Sequence, residues 1–107
     1  MTYSQFWIHY LAAHADRRSR ALHLAGTGGA LVLLALGAAT RDWRWLIAAP
    51  IVGYACAWFG HFVFEGNRPE TFGHPLWSLY SDVRMLGLFL TGRLRGEFRR
   101  AVGERRE

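Results

Sequence analysis

The chain contains no lysine and only one cysteine among its 107 residues. All thirteen basic residues are therefore arginines, and with eight acidic residues they give a net charge of +5. Cys56 has no partner for an intrachain disulfide, so the sequence does not indicate a redox compartment. The arginines cluster at residues 17–20 and 93–106, beside apolar segments. This placement favours contact with anionic lipid head groups over nucleic-acid binding.

Asp, Glu, Lys and Arg are absent from two long stretches, residues 21–40 and 45–64. Each stretch reaches the roughly 20 residues that a helix needs to cross a bilayer core of about 30 Å. A soluble domain of this size has no interior that could bury two helices that are apolar all round. The first stretch follows a polar and aromatic start and no cleavage site comes after it, so a signal peptide is not expected. We predict an integral membrane protein.

The predicted fold is all-α, with one membrane domain over residues 1–107 built on an antiparallel two-span hairpin. Aromatic residues along one stripe near the N-terminus are typical of an amphipathic helix in the membrane interface. Asp82 and Arg84 interrupt the last apolar segment, and charge at a bilayer centre is costly, so a third span is disfavoured. In chain order the predicted segments are an interfacial helix at 3–15, span one at 20–40, span two at 44–65, an interfacial or half-buried helix at 75–92 and a basic tail at 93–107.

Small residues near the start of span one, Ala25, Gly26, Gly29 and Ala30, favour close helix contact. A phosphate-binding loop at Gly26, Gly28 and Gly29 is the alternative interpretation, but no strand precedes these glycines and no lysine follows them. We expect this surface to support a homo-oligomer.

Four candidate metal ligands, His14, His23, His61 and Glu65, meet at one membrane face in this topology. His14 and His23 are nine residues apart and converge only if the chain turns between them, as "DRRSR" allows. His61 and Glu65, four residues apart, share a helix face. Imidazoles with a carboxylate are the ligand set of non-haem Fe(II) or Zn(II).

The alternative is that these side chains bind nothing. A histidine at the membrane boundary is usually an amphipathic side chain, which is our interpretation of His9, and Glu65 then is a solvated charge. Ionisable residues at a membrane edge are nevertheless rare and tend to be functional. His74 and Asp82 follow closely enough to join the site.

Two blocks of the sequence, "YLAAHADRRSRALHLAGT" and "AWFGHFVFEGNRPETFGHPLWSLYSD", resemble the DUF962 or Mpo1-like family. The resemblance covers roughly residues 6–92 and carries the patterns H-x8-H-x2-GT and GH-x3-E-x-NRP-x-TF. The family's fungal member is an Fe(II)-dependent dioxygenase of the endoplasmic reticulum membrane that shortens 2-hydroxy fatty acids by one carbon in α-oxidation. The resemblance thus implies Fe(II) as cofactor, O2 and a fatty acid as partners, and His14, His23 and His61 as metal ligands with Glu65 beside them.

Further roles follow from the chemistry of the neighbouring residues. We assign Arg68 to the substrate carboxylate, because a guanidinium pairs with a carboxylate in a bidentate way. Asn67 is assigned to substrate binding with it, and Glu65 and Asp82 are assigned catalytic roles.

The leading hypothesis is therefore a membrane-embedded non-haem Fe(II) dioxygenase acting on 2-hydroxy fatty acids. The alternatives are a non-enzymatic lipid-binding or assembly protein and a zinc hydrolase, for which no positioned nucleophile is evident. Arginines flank the outer ends of both spans in larger number than the connecting turn, which holds Arg41 and Arg44. Because orientation follows Lys and Arg, we expect both termini to be cytoplasmic in a bacterial-type inner membrane.

Overall fold

The structure is a computed structural model that describes residues 1–69 and 73–102. Residues 70–72, part of the second family-like block, and 103–107, the end of the predicted basic tail, lie outside the described residues. The described chain is all-helical. Its helices are α1 (Tyr3–Ala12), α2 (Arg17–Thr40), α3 (Trp43–Phe59), α4 (Pro75–Leu90) and α5 (Leu94–Ala101), and α3 continues into a π-helical segment, Gly60–Glu65.

Helices α2 and α3, the latter with its π-helical extension, are long and apolar enough to cross a membrane. Only 17% and 22% of their most apolar stretches are buried in the protein, whereas the core helix of a soluble domain is mostly buried. Helix α4 has 16 residues, fewer than the roughly 20 that a span requires. The predicted all-α fold with two spans is confirmed.

A two-residue turn joins the spans. Helix α2 ends at Thr40, and its C-cap residue Arg41 has a φ of 55°, in the left-handed region. Asp42 then caps α3, because its carboxylate accepts a hydrogen bond from the backbone N–H of Arg44. A connection this short makes α2 and α3 antiparallel neighbours.

Glycines let the two spans pack closely. A Cβ atom at Gly26 would lie 2.7 Å from the Cβ of Cys56, and one at Gly37 would lie 2.5 Å from Cδ2 of Leu46. The pairing of 26 with 56 and 37 with 46 is the register of an antiparallel hairpin. Gly26, predicted as part of a face for self-association, therefore contacts α3 of the same chain.

A small hydrophobic core lies at one end of the hairpin, where α1, α4 and α5 meet. The α1 stripe predicted for the membrane interface is largely buried there in protein contacts, because α4 and α5 cover it. The buried residues of this core are Phe6, Trp7, Tyr10, Leu11, Met85, Leu94 and Val102. Trp7 also donates a hydrogen bond from Nε1 to Oε1 of Glu97 over 2.9 Å. The predicted basic tail thus begins as a helix that packs on α1.

Candidate metal centre

Three histidines from separate parts of the chain converge beside this core. His14 lies in the connection between α1 and α2, His23 lies near the start of α2, and His61 lies in the π-helical segment. One potential ligand atom from each lies within 4.8 Å of the others. Their exposed fractions are 1%, 5% and 3%, so water is largely excluded from all three rings. π-Helical turns are rare in proteins, and those that occur are often found at functional sites.

His14 is held as a neutral ring with one nitrogen available. Its Nδ1 lies 2.6 Å from the carbonyl oxygen of Tyr10. A carbonyl can only accept, so Nδ1 carries the proton and Nε2 carries a lone pair. Nε2 is buried and has no hydrogen-bond partner among the described residues. Burial, followed by the neighbouring His23 and His61, lowers the pKa of His14 well below its usual 6.5, which keeps the ring in the form that binds metals.

His61 is oriented by Asn67. Nδ1 of His61 lies 2.7 Å from Oδ1 of Asn67. The amide group of Asn67 donates from Nδ2 to the carbonyl oxygen of Ala13 over 3.2 Å, which fixes Oδ1 toward the imidazole. Nδ1 of His61 therefore donates, and its Nε2 carries the lone pair. Asn67 thus links the end of span two to the end of α1 and orients a histidine, and its role in substrate binding stays a prediction.

His23 donates its hydrogen bond from Nε2, whereas His14 and His61 donate from Nδ1. Its Nε2 lies 2.6 Å from Oδ1 of Asp82 and 3.1 Å from the hydroxyl of Tyr10. Nε2 donates to the carboxylate, so Nδ1 carries the lone pair. This Nδ1 is buried without a hydrogen-bond partner in the part of the chain that the structure describes. The Tyr10 hydroxyl donates to the same Asp82 oxygen over 2.6 Å. Burial, with Asp82 next, raises the pKa of Tyr10 well above 10.0, so the phenol stays a donor.

The arrangement fits a metal ion. Metal-binding histidines almost always donate their second N–H to a carboxylate, a carbonyl or a similar acceptor. His14, His61 and His23 donate to a backbone carbonyl, an amide and a carboxylate, respectively. A buried nitrogen without a partner costs about 1–3 kcal/mol, and two of the three rings carry such an atom. Coordination of a cation by these lone pairs would remove that cost.

Glu65 lies at the same junction but is engaged elsewhere. Its Oε1 accepts hydrogen bonds from the backbone N–H of Asp16 over 2.7 Å and from the Ser19 hydroxyl over 2.5 Å. Unpaired N–H groups and the positive end of the helix dipole attract a carboxylate to the start of α2. Among the described residues, the group of close ligand atoms contains the three histidines and not Glu65. Glu65 as a fourth ligand therefore stays a prediction.

The other predicted site residues have distinct positions. Arg68 is exposed in the segment after the π-helical turn. His74 precedes α4 and packs its ring against Trp77, with centroids 5.0 Å apart, and against Phe6 at 5.4 Å. Asp82 contacts His23 through one oxygen and is not part of the three-histidine group.

Sequence reasoning gave Tyr10 no role beside the histidines. It belongs to the aromatic stripe of α1, yet its carbonyl oxygen accepts a hydrogen bond from His14 and its hydroxyl donates one to Asp82. Its spacing of four residues before His14 places it one helical turn away, and this was the available signal.

The comparison with known families agrees with the sequence resemblance. Residues 1–94 match the family described as "Mpo1-like: 2-hydroxy-palmitic acid dioxygenase Mpo1-like". The matched range includes the three histidines, Asn67 and Asp82. No curated protein and no solved structure matches the chain.

Proposed function

Because the chain belongs to the Mpo1-like family, we propose that it is a membrane-embedded Fe(II) dioxygenase that shortens 2-hydroxy fatty acids by one carbon. The observation that carries the proposal is the convergence of three buried histidines whose ligand atoms lie within 4.8 Å of one another. Each ring has its second nitrogen engaged by an acceptor, as metal ligands require.

His14, His23 and His61 would hold the ion. Bound Fe(II) would supply the reactivity toward O2 that amino-acid side chains lack. Nitrogen ligands also suit Zn(II), so the choice of iron rests on the family description.

The protein's own residues then act by orientation and by exclusion of water. Asp82 and Tyr10 fix the ring of His23, and Asn67 fixes the ring of His61. These contacts predict that Asp82, assigned a catalytic role from the sequence, is a positioning residue.

The carboxylate of the substrate requires a cation near the centre. Arg68 follows Asn67 directly and is exposed, and we propose that its guanidinium pairs with that carboxylate. Glu65 is proposed to hold the start of α2 against the end of span two, through Asp16 and Ser19.

We further propose that the protein lies in a bacterial-type inner membrane with both termini in the cytoplasm. The hydrogen bond from Trp7 to Glu97 supports a common side for the two ends of the described chain. A reporter that is active only in the cytoplasm should work when fused to the C-terminus, and a periplasmic reporter should not. Activity of the periplasmic fusion alone would contradict this orientation.

Self-association is also proposed, because the outer faces of α2 and α3 leave large apolar side chains exposed, including Leu36, Ile51 and Phe59. Cross-linking in lipid bilayers should trap a homo-oligomer, and monomer at every protein concentration would contradict it.

Turnover of a defined substrate tests the proposed activity. The protein, loaded anaerobically with Fe(II), should cleave the C1–C2 bond of 2-hydroxypalmitic acid with O2, giving the fatty acid one carbon shorter together with CO2 and water, and mass spectrometry detects the shorter acid. His14→Ala should lower activity by more than the roughly 10- to 100-fold typical for loss of an outer-shell partner. His9→Ala is the matched control, since His9 lies on the exposed side of α1 and outside the three-histidine group. Absence of product from the loaded protein, or full activity of His14→Ala, would favour the non-enzymatic alternative.

A further inference from the structure

A cavity of about 380 Å³ lies between α2, α3 and α4. It reaches the metal centre at His23 and Asp82, which form its polar end. Beyond Thr27 its walls are almost entirely apolar, and its far end is formed by Leu34 and Leu46. The cavity therefore runs from the candidate metal centre toward the turn that joins the two spans.

The residues that line the cavity extend over about three turns of α2. His23 and Leu34 are eleven residues apart on α2, which at 1.5 Å per residue corresponds to about 16 Å. Its walls include Ala30 on α2 and Gly53 on α3, where the spans are so close that a Cβ atom at Gly53 would lie 3.4 Å from the Cβ of Ala30. Ligand pockets with this pattern, apolar walls and a few polar groups at one end, bind amphiphiles in a fixed orientation.

We propose that this cavity, which we call the acyl cavity, binds the hydrocarbon tail of the substrate and sets its maximum length. The 2-hydroxy acid end lies at His23 and Asp82, and the terminal methyl group lies at Leu34 and Leu46. The inference rests on the proposed function, since it takes the tail to be that of the fatty acid that reacts at the histidines.

The polar end favours a fatty acid over a membrane phospholipid. The side chains of His23 and Asp82 are 6% and 14% exposed, so only a small head group can reach them. A phospholipid head group is too large to do so. Repulsion between Asp82 and the carboxylate of the fatty acid would be offset by a divalent cation on the three histidines.

Photo-crosslinking tests the position of the tail directly. The probe is 2-hydroxypalmitic acid with a diazirine at its terminal carbon, added to the protein in lipid nanodiscs both with chelator and with Fe(II). We expect adducts at Leu34, at Leu46 or at their immediate neighbours in the cavity. A phosphatidylcholine with the same terminal diazirine should instead label outward-facing residues such as Leu36. The same adduct pattern from both probes, or no adducts in the cavity, would overturn the proposal.

A pair of variants tests the length limit. Leu34→Trp should block the far end of the acyl cavity, and Leu36→Trp is the matched control. Both leucines lie on α2, with exposed fractions of 42% and 39%, but only Leu34 lines the cavity. The Kd for 2-hydroxypalmitic acid, measured by competition with the probe, should rise at least about tenfold in Leu34→Trp. The Kd for 2-hydroxylauric acid should change little, and Leu36→Trp should behave as the unmodified protein.

Equal effects of the two variants, or equal loss for both fatty acids, would contradict the assignment of Leu34. Crosslinking and turnover together also distinguish failure of the acyl cavity proposal from failure of the proposed function. Turnover without cavity adducts would contradict the proposal that the cavity binds the acyl tail, and it would leave the proposed function in place. Cavity adducts without turnover would support the cavity as a fatty-acid site and contradict the dioxygenase.

Discussion

Removal of the negative charge of Asp82 should weaken metal binding by roughly 30-fold, which corresponds to about 2 kcal/mol. Oδ1 of Asp82 accepts hydrogen bonds from Nε2 of His23 and from the Tyr10 hydroxyl, both over 2.6 Å. Asparagine has the same shape but no charge, so Asp82→Asn turns two charge-assisted hydrogen bonds into neutral ones. Loss of an outer-shell partner that orients a ligating histidine typically lowers metal affinity by about 10- to 100-fold, and the stated magnitude is the middle of that range.

The assay is a calorimetric titration of metal-free protein with Co(II) in detergent, with helix content followed by circular dichroism. Asp42→Asn is the matched control, because Asp42 caps α3 at the far end of the hairpin and asparagine caps a helix about as well. Its exposed pair with Arg44 contributes little. Equal affinities of Asp82→Asn and the unmodified protein would refute the argument that Asp82 supports His23 as a ligand.

Three further predictions concern stability. Gly60→Ala should lower the free energy of unfolding by about 1–3 kcal/mol, because the new Cβ would lie 3.1 Å from Cβ and 3.2 Å from Cα of Ser19. Gly87→Ala should raise it by about 0.5–1 kcal/mol, because the new Cβ would meet no atom of a neighbouring described residue within 4 Å. Melting temperatures in detergent equal to that of the unmodified protein would contradict both predictions. The hydrogen bond from Trp7 lowers the pKa of Glu97 below its usual 4.5, and the neighbouring arginines lower it further. The ionised Glu97 side chain therefore stabilises the folded protein fully above pH 4.5, and this stabilisation is lost as the pH falls through the lower pKa of the folded state. Glu97→Gln should therefore lose less stability on acidification than the unmodified protein. If the melting temperatures of the two proteins fall in parallel with pH, Glu97 has no such role.

The hairpin was predictable because two uncharged runs and a short polar turn determine it almost alone. The meeting of the histidines followed, since an antiparallel pair brings His23 and His61 to the same face and a turn brings in His14. The family resemblance pointed to the same residues.

The surroundings of the histidines were not predictable in the same way. Whether Glu65 binds a metal or the start of α2 depends on which donors lie nearest after folding, and Asp16 and Ser19 are more than forty positions earlier in the chain. The role of Asn67 depends likewise on its contact with Ala13 at the end of α1. Periodicity reports which face of a helix is apolar, but it cannot tell whether lipid or another helix covers that face, which is why the burial of α1 was missed.

The metal content of the protein tests the central claim most directly. Protein purified without chelator, or reconstituted with Fe(II), should hold one iron per chain by elemental analysis. His61→Ala should lose that iron and keep its helix content, whereas His9→Ala should retain the iron. Absence of bound metal after reconstitution, or undiminished iron in His61→Ala, would contradict the claim that His14, His23 and His61 form a metal site.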